Sequence, residues 1–149
     1  MTPEEKAYIA GIIDGEGSIM LTRFHKNQHH APCVTIASTT LELLEWIQLK
    51  TGVGTIKLKK NYKPSIHTSS YTYIVKYNDA INFISEIEPY LVISQKKRRA
   101  QLILNEYKKC TPRNGRYSSD MLQAKEEFLH KFLSIEQSCL SGNFLKPER

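Results

Sequence analysis

The 149-residue chain has three cysteines, Cys33, Cys110 and Cys139, spaced far apart with no Cys-x-x-Cys pair. That excludes a disulfide scaffold and a zinc ribbon, and it fits a reducing intracellular compartment, either an organelle (chloroplast or mitochondrion) or a microbial cytoplasm. No apolar run approaches the roughly 20 residues that span a bilayer. The opening MTPEEK carries two acids and no apolar stretch, so no secretory signal is expected. Low-complexity segments and Gly-, Pro- or Ser-rich linkers are missing too. With hydrophobic residues at 40% and charged residues at 24%, one soluble globular domain over 1–149 is expected. His25, His29, His30 and Cys33 match no common zinc spacing, so loop histidines facing nucleic acid or water are the plainer reading.

The most informative absence is of acid. The chain has 15 Asp and Glu residues, yet 17–41 and 46–78 contain none, where chance would place about six. The same stretches hold eight cations: Arg23, Lys26, Lys50, Lys57, Lys59, Lys60, Lys63 and Lys76. The whole chain carries a net charge of +6. A region that excludes acids and keeps cations is what a surface facing phosphates requires.

Thr2 as N-cap, Pro3 at the first helical position and Glu5 three residues after the cap predict a helix over 2–13, broken by Asp14-Gly15. From 17 to 24 the period drops to two, Ile19 and Leu21 alternating with Met20, Thr22 and Phe24, which predicts a strand. A polar loop over 25–32 leads to a second strand over 33–38, with Val34 and Ile36 on one face. Thr39 and Glu42 read as another capping box, opening a helix through Ile47 that Gly52 stops. A third strand over 55–59 places Ile56 and Leu58 inward and Thr55, Lys57 and Lys59 outward. A fourth over 71–76 turns Tyr71, Tyr73 and Val75 inward. Asn78 can cap a short helix ending before Pro89, and another helix is predicted from Ser94 to Lys109. A last helix starts at Ser118 or Ser119, with Leu122, Phe128, Leu129, Phe132 and Leu133 as its apolar stripe. This α-β-β-α-β-β-α order is an α+β domain, with a core over about 3–110 and C-terminal helices over about 111–149. Helices cover one face of a four-stranded antiparallel sheet, and the open face is the acid-free, basic one.

The first helix carries chemistry. In Ile9-Ala-Gly-Ile-Ile-Asp-Gly-Glu-Gly17, Ala7, Ala10 and Gly11 form a stripe of small side chains, and Gly inside a helix costs about 1 kcal/mol against Ala. That cost makes sense where another backbone approaches closely, most simply a second copy of the same helix. Two such helices would set two Glu16 carboxylates side by side, where like charges repel unless cations lie between them. Paired carboxylates over a basic sheet describe a metal site for phosphodiester hydrolysis.

The segment IAGIIDGEG resembles the nine-residue motif of the LAGLIDADG homing endonucleases, with eight of nine positions identical or of the same class and Gly15 for Ala the loosest. The element order resembles that family's core as well. The resemblance implies Glu16 as the metal-binding acid, the Gly15 carbonyl as a second ligand, and Asp14 as a structural cap at the dimer seam formed with Ala7, Ala10 and Gly11. One motif per chain implies a homodimer, sharing two or more Mg²⁺ ions and cutting both strands of a long, nearly palindromic double-stranded DNA site to leave 3′ overhangs. Pro89-Tyr90-Leu91 resembles the segment that precedes the family's active-site lysine. Counting forward from it reaches Ser94, counting back from Ala100 reaches Lys96, and Lys97 is a competitor. Lys96 is preferred because a cation beside the scissile phosphate stabilises developing negative charge. Ser38 or Thr39 falls where the family carries a water-positioning residue. Strand parity and charge nominate Met20, Thr22, Phe24, His25, Lys26, Thr35, Thr55, Lys57, Lys59, Thr72, Lys76 and Lys97 as DNA contacts, and the resemblance implies that the strands read base edges in the major groove.

The run Lys96-Lys97-Arg98-Arg99 puts cations at a helix N-terminus, against the macrodipole, which favours phosphate contact over a solvated face. Two alternatives remain open at this point: an intron RNA maturase, served by the basic residues Lys108, Lys109, Arg113 and Arg116, and a non-catalytic DNA-binding regulator on the same fold. A compact single domain fits an intron-encoded protein better than an intein.

Overall fold

The computed structural model describes residues 1–63 and 65–140, the backbone alone over 136–140; the tail 141–149 of the expected C-terminal region lies outside the described residues. The order is α1 (Pro3–Glu16), β1 (Gly17–Thr22), β2 (Ala31–Ser38), α2 (Leu41–Thr51), β3 (Thr55–Leu58), β4 (Tyr71–Lys76), α3 (Tyr77–Ile87), α4 (Ser94–Leu102) and α5 (Ser119–Leu140). The strands form one antiparallel sheet in the order β1-β2-β4-β3. This is the expected α+β architecture. Among the described residues no helix is long and apolar enough to cross a membrane.

Local chemistry sets the start of α1 and the end of α2. Thr2 caps α1, its hydroxyl accepting from the Glu5 amide at 3.1 Å, as the capping box predicts. Gly52 ends α2 in the left-handed region, at φ 71°. Two residues on, Gly54 at φ 88° lets the Tyr73 ring close in, since a Cβ there would lie 2.5 Å from it. Tyr73 is fully buried, and its hydroxyl is satisfied by Thr51 Oγ1 at 2.8 Å and the Val53 carbonyl at 2.7 Å.

The alternation of the strands sorts core from surface. Ile19, Val34, Ile36, Tyr73 and Val75 point into a core completed by Ile9, Ala10 and Ile13 of α1, Leu44 and Ile47 of α2, and Ala80, Phe83, Ile84 and Ile87 of α3. Each fully buried isoleucine contributes about 1.5–3 kcal/mol relative to exposure. Phe128 and Phe132 of α5 close one end against Ile103.

Several expectations are corrected. α1 runs on through Asp14 and Gly15 to Glu16, because that turn is held from elsewhere in the fold, as shown below. The second capping box does not form: α2 starts at Leu41 after Thr40, without a side-chain cap bond, and the Thr40 amide goes to Ser38 Oγ at 3.0 Å. Asn78 does not cap α3, which starts a residue earlier at Tyr77. β1 stops at Thr22, before Phe24. β2 starts two residues early, at Ala31; Pro32 is tolerated there because it lies beyond the last pair with β4, Cys33↔Lys76. Leu58, expected inward, is 66% exposed, since β3 is an edge strand that the helices do not cover at that end. The helix expected over 94–109 changes to a π-helical turn at Ile103–Tyr107 and a 3₁₀ turn at Lys108–Cys110. In α5, Phe128 and Phe132 are buried while Leu122 and Leu133 are exposed.

Candidate active site and nucleic-acid interface

Inward-facing Ile19, Val34, Tyr73 and Val75 oblige their neighbours to face the other way. The register then stacks the outward residues in rows. Met20, Cys33 and Lys76 form one row, Ser18, Thr35, Ile74 and Thr55 a second, and Ala37, Thr72 and Lys57 a third. Every candidate on a strand (Met20, Thr22, Thr35, Thr55, Thr72 and Lys57, with Lys76) is on this open face, with Lys59 just past the end of β3. None of the outward residues is Asp or Glu. Phe24, His25 and Lys26 belong to the β1–β2 loop. Lys76 Nζ sits 4.5 Å from the Phe24 ring centroid, which holds that ammonium at the end of the sheet. Lys50, counted in the basic excess, is on α2 and pairs with Glu5 at 3.2 Å, away from this face.

Sequence reasoning missed three features here. Cys33 faces outward yet is buried beside Met20 and Lys76, and burial pushes its thiol pKa up. In the β3–β4 loop, Asn61 organises the chain by donating to the His67 carbonyl at 2.7 Å and accepting from the Lys63 amide at 3.0 Å. That loop presents Tyr62, 80% exposed, with Lys60 Nζ 4.9 Å from its ring centroid. An aromatic inside a lysine cluster was the legible signal.

At the opposite end of β1, Glu16 is the last residue of α1 and is exposed. Gly17 starts β1 opposite Ile36, so Ser38, at the end of β2, comes level with the end of α1. Ser38 Oγ accepts from the Thr40 amide at 3.0 Å, which leaves its own proton free to donate. Thr39 is exposed in the same turn.

A reciprocal clasp fixes this junction. The Asp14 carboxylate accepts from the Val92 and Ile93 amides at 2.9 and 3.2 Å, just ahead of α4. From the first turn of α4, Lys96 Nζ donates to the Ile13 and Asp14 carbonyls, both at 2.7 Å. The last turn of α1 has no basic residue of its own, so Lys96 supplies through space the cation that a helix C-terminus favours. Burial lowers the Lys96 pKa; the Asp14 carboxylate opposes that shift and Arg99 adds to it.

The basic run at 96–99 is largely used inside the chain, contrary to the expectation that its cations point at phosphate. Lys97 Nζ reaches the Glu88 carbonyl at 3.1 Å and the Glu88 carboxylate at 3.5 Å, so the structure turns it toward Glu88 and not onto the open sheet. Arg99 donates to the Ile19 carbonyl at 3.1 Å and lies 5.1 Å from the Phe132 ring centroid. Arg98 is exposed. Of the two lysines weighed for the active site, Lys96 is the one beside the helix that carries Glu16.

The small-residue stripe is also corrected. Ala10 is fully buried in the core of its own chain, because it shares the inward face with Ile9 and Ile13. The exposed small residues are Ala7, Gly11 and Gly15, four apart and so on one face. No atom outside their own helix lies within 4 Å of a Cβ built on Gly11 or Gly15. Tyr8, 56% exposed, and Val92, 81% exposed, add apolar surface nearby. Asp14 turns to the Val92 and Ile93 amides within the chain.

At this junction the Asp14 carboxylate is taken up by the Val92 and Ile93 amides, while the Glu16 carboxylate is exposed, with backbone carbonyl oxygen beside it. Among the described residues no group of three or more His, Cys, Asp or Glu converges. An all-oxygen donor set suits a hard divalent cation.

Comparison with known proteins gives a consistent picture. A family model described as LAGLIDADG endonuclease matches residues 9–110. Among solved structures, the fold is similar to the homing endonuclease I-CvuI in complex with its target in the presence of Ca, with TM-score 0.69 and 20% identity over 89% of this chain and 82% of that one. It is similar to the archaeal intron-encoded homing endonuclease I-Vdi141I complexed with DNA, with TM-score 0.52 and 21% identity over 93% and 98%. It is also similar to the LAGLIDADG homing endonuclease I-GzeII in complex with a DNA target, with TM-score 0.59 and 22% identity over 89% of this chain and 44% of that one. No curated protein matches the chain.

Proposed function

The chain belongs to the LAGLIDADG endonuclease family and is a site-specific DNA endonuclease; from that premise we propose that two copies pair through the exposed Ala7–Gly11–Gly15 face of α1 and cut double-stranded DNA held on their open sheet faces. The observation that carries this reading is the position of Glu16. It is exposed at the point where the unpartnered face of α1 ends and the acid-free sheet begins.

Glu16 and the Gly15 carbonyl would hold a divalent cation, Mg²⁺ in the cell, between the two chains. Such a cation supplies Lewis-acid stabilisation of phosphate charge and a more acidic water. The protein does the positioning. The Asp14–Lys96 clasp holds the last turn of α1, and with it Glu16, at a set distance from the sheet. Lys96 has three N–H donors; two are spent on the Ile13 and Asp14 carbonyls, and the third is available to an oxygen of the scissile phosphate. Ser38 can donate to the water that attacks phosphorus as the bond to the 3′ oxygen breaks. Met20, Thr22, Phe24, His25, Lys26, Thr35, Thr55, Lys57, Lys59, Thr72 and Lys76 supply base and phosphate contacts. The RNA-splicing and non-catalytic readings are not favoured.

The test is cleavage selection from a randomised double-stranded library in Mg²⁺, with Ca²⁺ or EDTA as controls. A nearly palindromic consensus with 3′ overhangs is expected for the wild type. Glu16→Gln should retain DNA and cut at least a thousandfold more slowly, because the sheet contacts are untouched. Full cleavage by that variant would refute the assignment of Glu16.

A further inference from the structure

We propose that Tyr77 and Tyr117 are positioning residues that hold the β1–β2 loop, residues 23–30, as a rigid reader of base pairs remote from the cut. This rests on the reading of the open sheet as the DNA face. It goes beyond that reading by assigning specificity to two residues that need not touch DNA.

Tyr77 is the only non-glycine residue with positive φ among the described residues, at 55°. A tyrosine in that region stores backbone strain that surrounding contacts must offset. Its ring contact and its hydroxyl hydrogen bond both go to the loop. The Tyr77 ring packs on Phe24 at 5.1 Å between centroids. Its hydroxyl donates to Gln28 Oε1 at 3.3 Å. Lys76, its chain neighbour, lies over the other partner of that stack, Phe24.

A second anchor comes from the opposite direction in sequence. Tyr117, in the connection between α4 and α5, packs against His29 with centroids 4.5 Å apart and the rings tilted by 46°. Its own position is held by Lys125, a buried lysine of α5 whose Nζ lies 4.0 Å from the Tyr107 ring centroid, 5.9 Å from that of Tyr117, and in contact with Thr111 Oγ1. The loop is therefore gripped at Phe24, Gln28 and His29 by two aromatic side chains nearly 50 and 90 residues away. His25 and Lys26, between those grips, and Arg23, just before them, are exposed. A polar loop free to rearrange would lose affinity to ordering on binding, whereas one held in place reads DNA without that loss.

Distance gives the proposal its signature. β1 ends at Thr22, five residues from Gly17 and about 17 Å away at strand rise, or the height of about five base pairs, and the loop lies beyond that end. Loosening the loop should relax discrimination that far from the cleaved bond and leave the central pairs alone.

The experiment is binding selection, without cleavage, from a library randomised across the full site in Ca²⁺, with hydrogen exchange read over residues 25–30. Tyr77→Gly removes the ring while relieving the positive φ, so a folded variant is expected; Tyr117→Ala tests the second anchor and Tyr77→Phe keeps the ring stack. The expected result is faster exchange over 25–30 and about tenfold weaker discrimination at the distal pairs, with central pairs unchanged and Tyr77→Phe close to wild type. Unchanged distal discrimination alongside faster exchange, or an equal loss at every position, would overturn the proposal. A wild-type chain that binds selectively but never cuts would instead refute the nuclease reading, and the selection profile would still decide this one.

Discussion

The junction between α1 and β1 leaves no room for a side chain at Gly17, and Gly17→Ala tests it. Gly17 is buried with φ −90°, a backbone conformation open to any residue, so only space is at issue. A Cβ there would lie 2.6 Å from Ile13 Cδ1, 2.8 Å from Ile13 Cα and 3.2 Å from the Ile13 carbonyl oxygen. The methyl end of Ile13 could swing aside, but that side chain is fully buried in the core and its Cα moves only with the last turn of α1. Overpacking of this kind costs about 1–3 kcal/mol. At about 2–4 °C per kcal/mol for a chain of this size, a melting midpoint lower by about 2–12 °C is expected. Cleavage should suffer more than stability. The displaced turn carries Glu16 and both carbonyls bound by Lys96, and a misplacement of about 1 Å at a reacting group costs on the order of a hundredfold in rate. The assay is a circular-dichroism melt beside single-turnover cleavage of the selected site, well below the midpoint. A variant with wild-type melting and wild-type rate would refute the steric reasoning.

Other outcomes follow from the same geometry. Asp14→Ala removes the acceptor for the Val92 and Ile93 amides, and with those amides near water the loss should be about 1–2 kcal/mol, read as a lower melting midpoint. Gly11→Leu places a bulky side chain on the exposed stripe, where nothing in the chain itself obstructs it. It should leave the monomer folded and shift light scattering from dimer to monomer; a dimer of unchanged mass would contradict the helix pairing. Stability should fall above about pH 9. Burial raises the pKa of Cys33, Cys110, Tyr73, Tyr107 and Tyr117 in the fold, so the unfolded chain releases those protons first and is favoured as pH rises past the ordinary thiol and phenol values. Lys125 works the other way: burial lowers its pKa, so its contribution rises with pH up to the ordinary lysine value. Lys125→Met should therefore steepen the alkaline loss in urea titrations against pH, and a shallower loss would contradict that sign.

Local chemistry made much of this legible. Thr2 with Glu5 set the start of α1 because the capping partners are three residues apart. Period-two alternation placed Ile19, Val34, Ile36, Tyr73 and Val75 inward, and hence the candidate DNA contacts of the strands outward, because one side of the sheet must be buried. IAGIIDGEG named Glu16. What failed depended on partners distant in the chain. Asp14-Gly15 reads as a breaker, yet the helix continues, because Val92, Ile93 and Lys96 satisfy its last polar groups from almost 80 residues away. Lys97 reads as a phosphate contact until Glu88 is found beside it. Leu58 obeys the strand period, but at the sheet edge nothing covers it.

By itself, then, the sequence determined the order of the elements, the sheet face that excludes acids and the candidate at the head of the proposed site, all set by interactions spanning a few residues or by one buried face. The tertiary structure alone decided which small residues are exposed, sending Ala10 to the core and leaving Ala7, Gly11 and Gly15 free, since composition cannot tell a partner helix from the chain's own core. It alone closed the Asp14–Lys96 clasp and brought Tyr77 and Tyr117 onto one loop, because contacts between residues 50 to 90 positions apart leave no periodic trace along the chain.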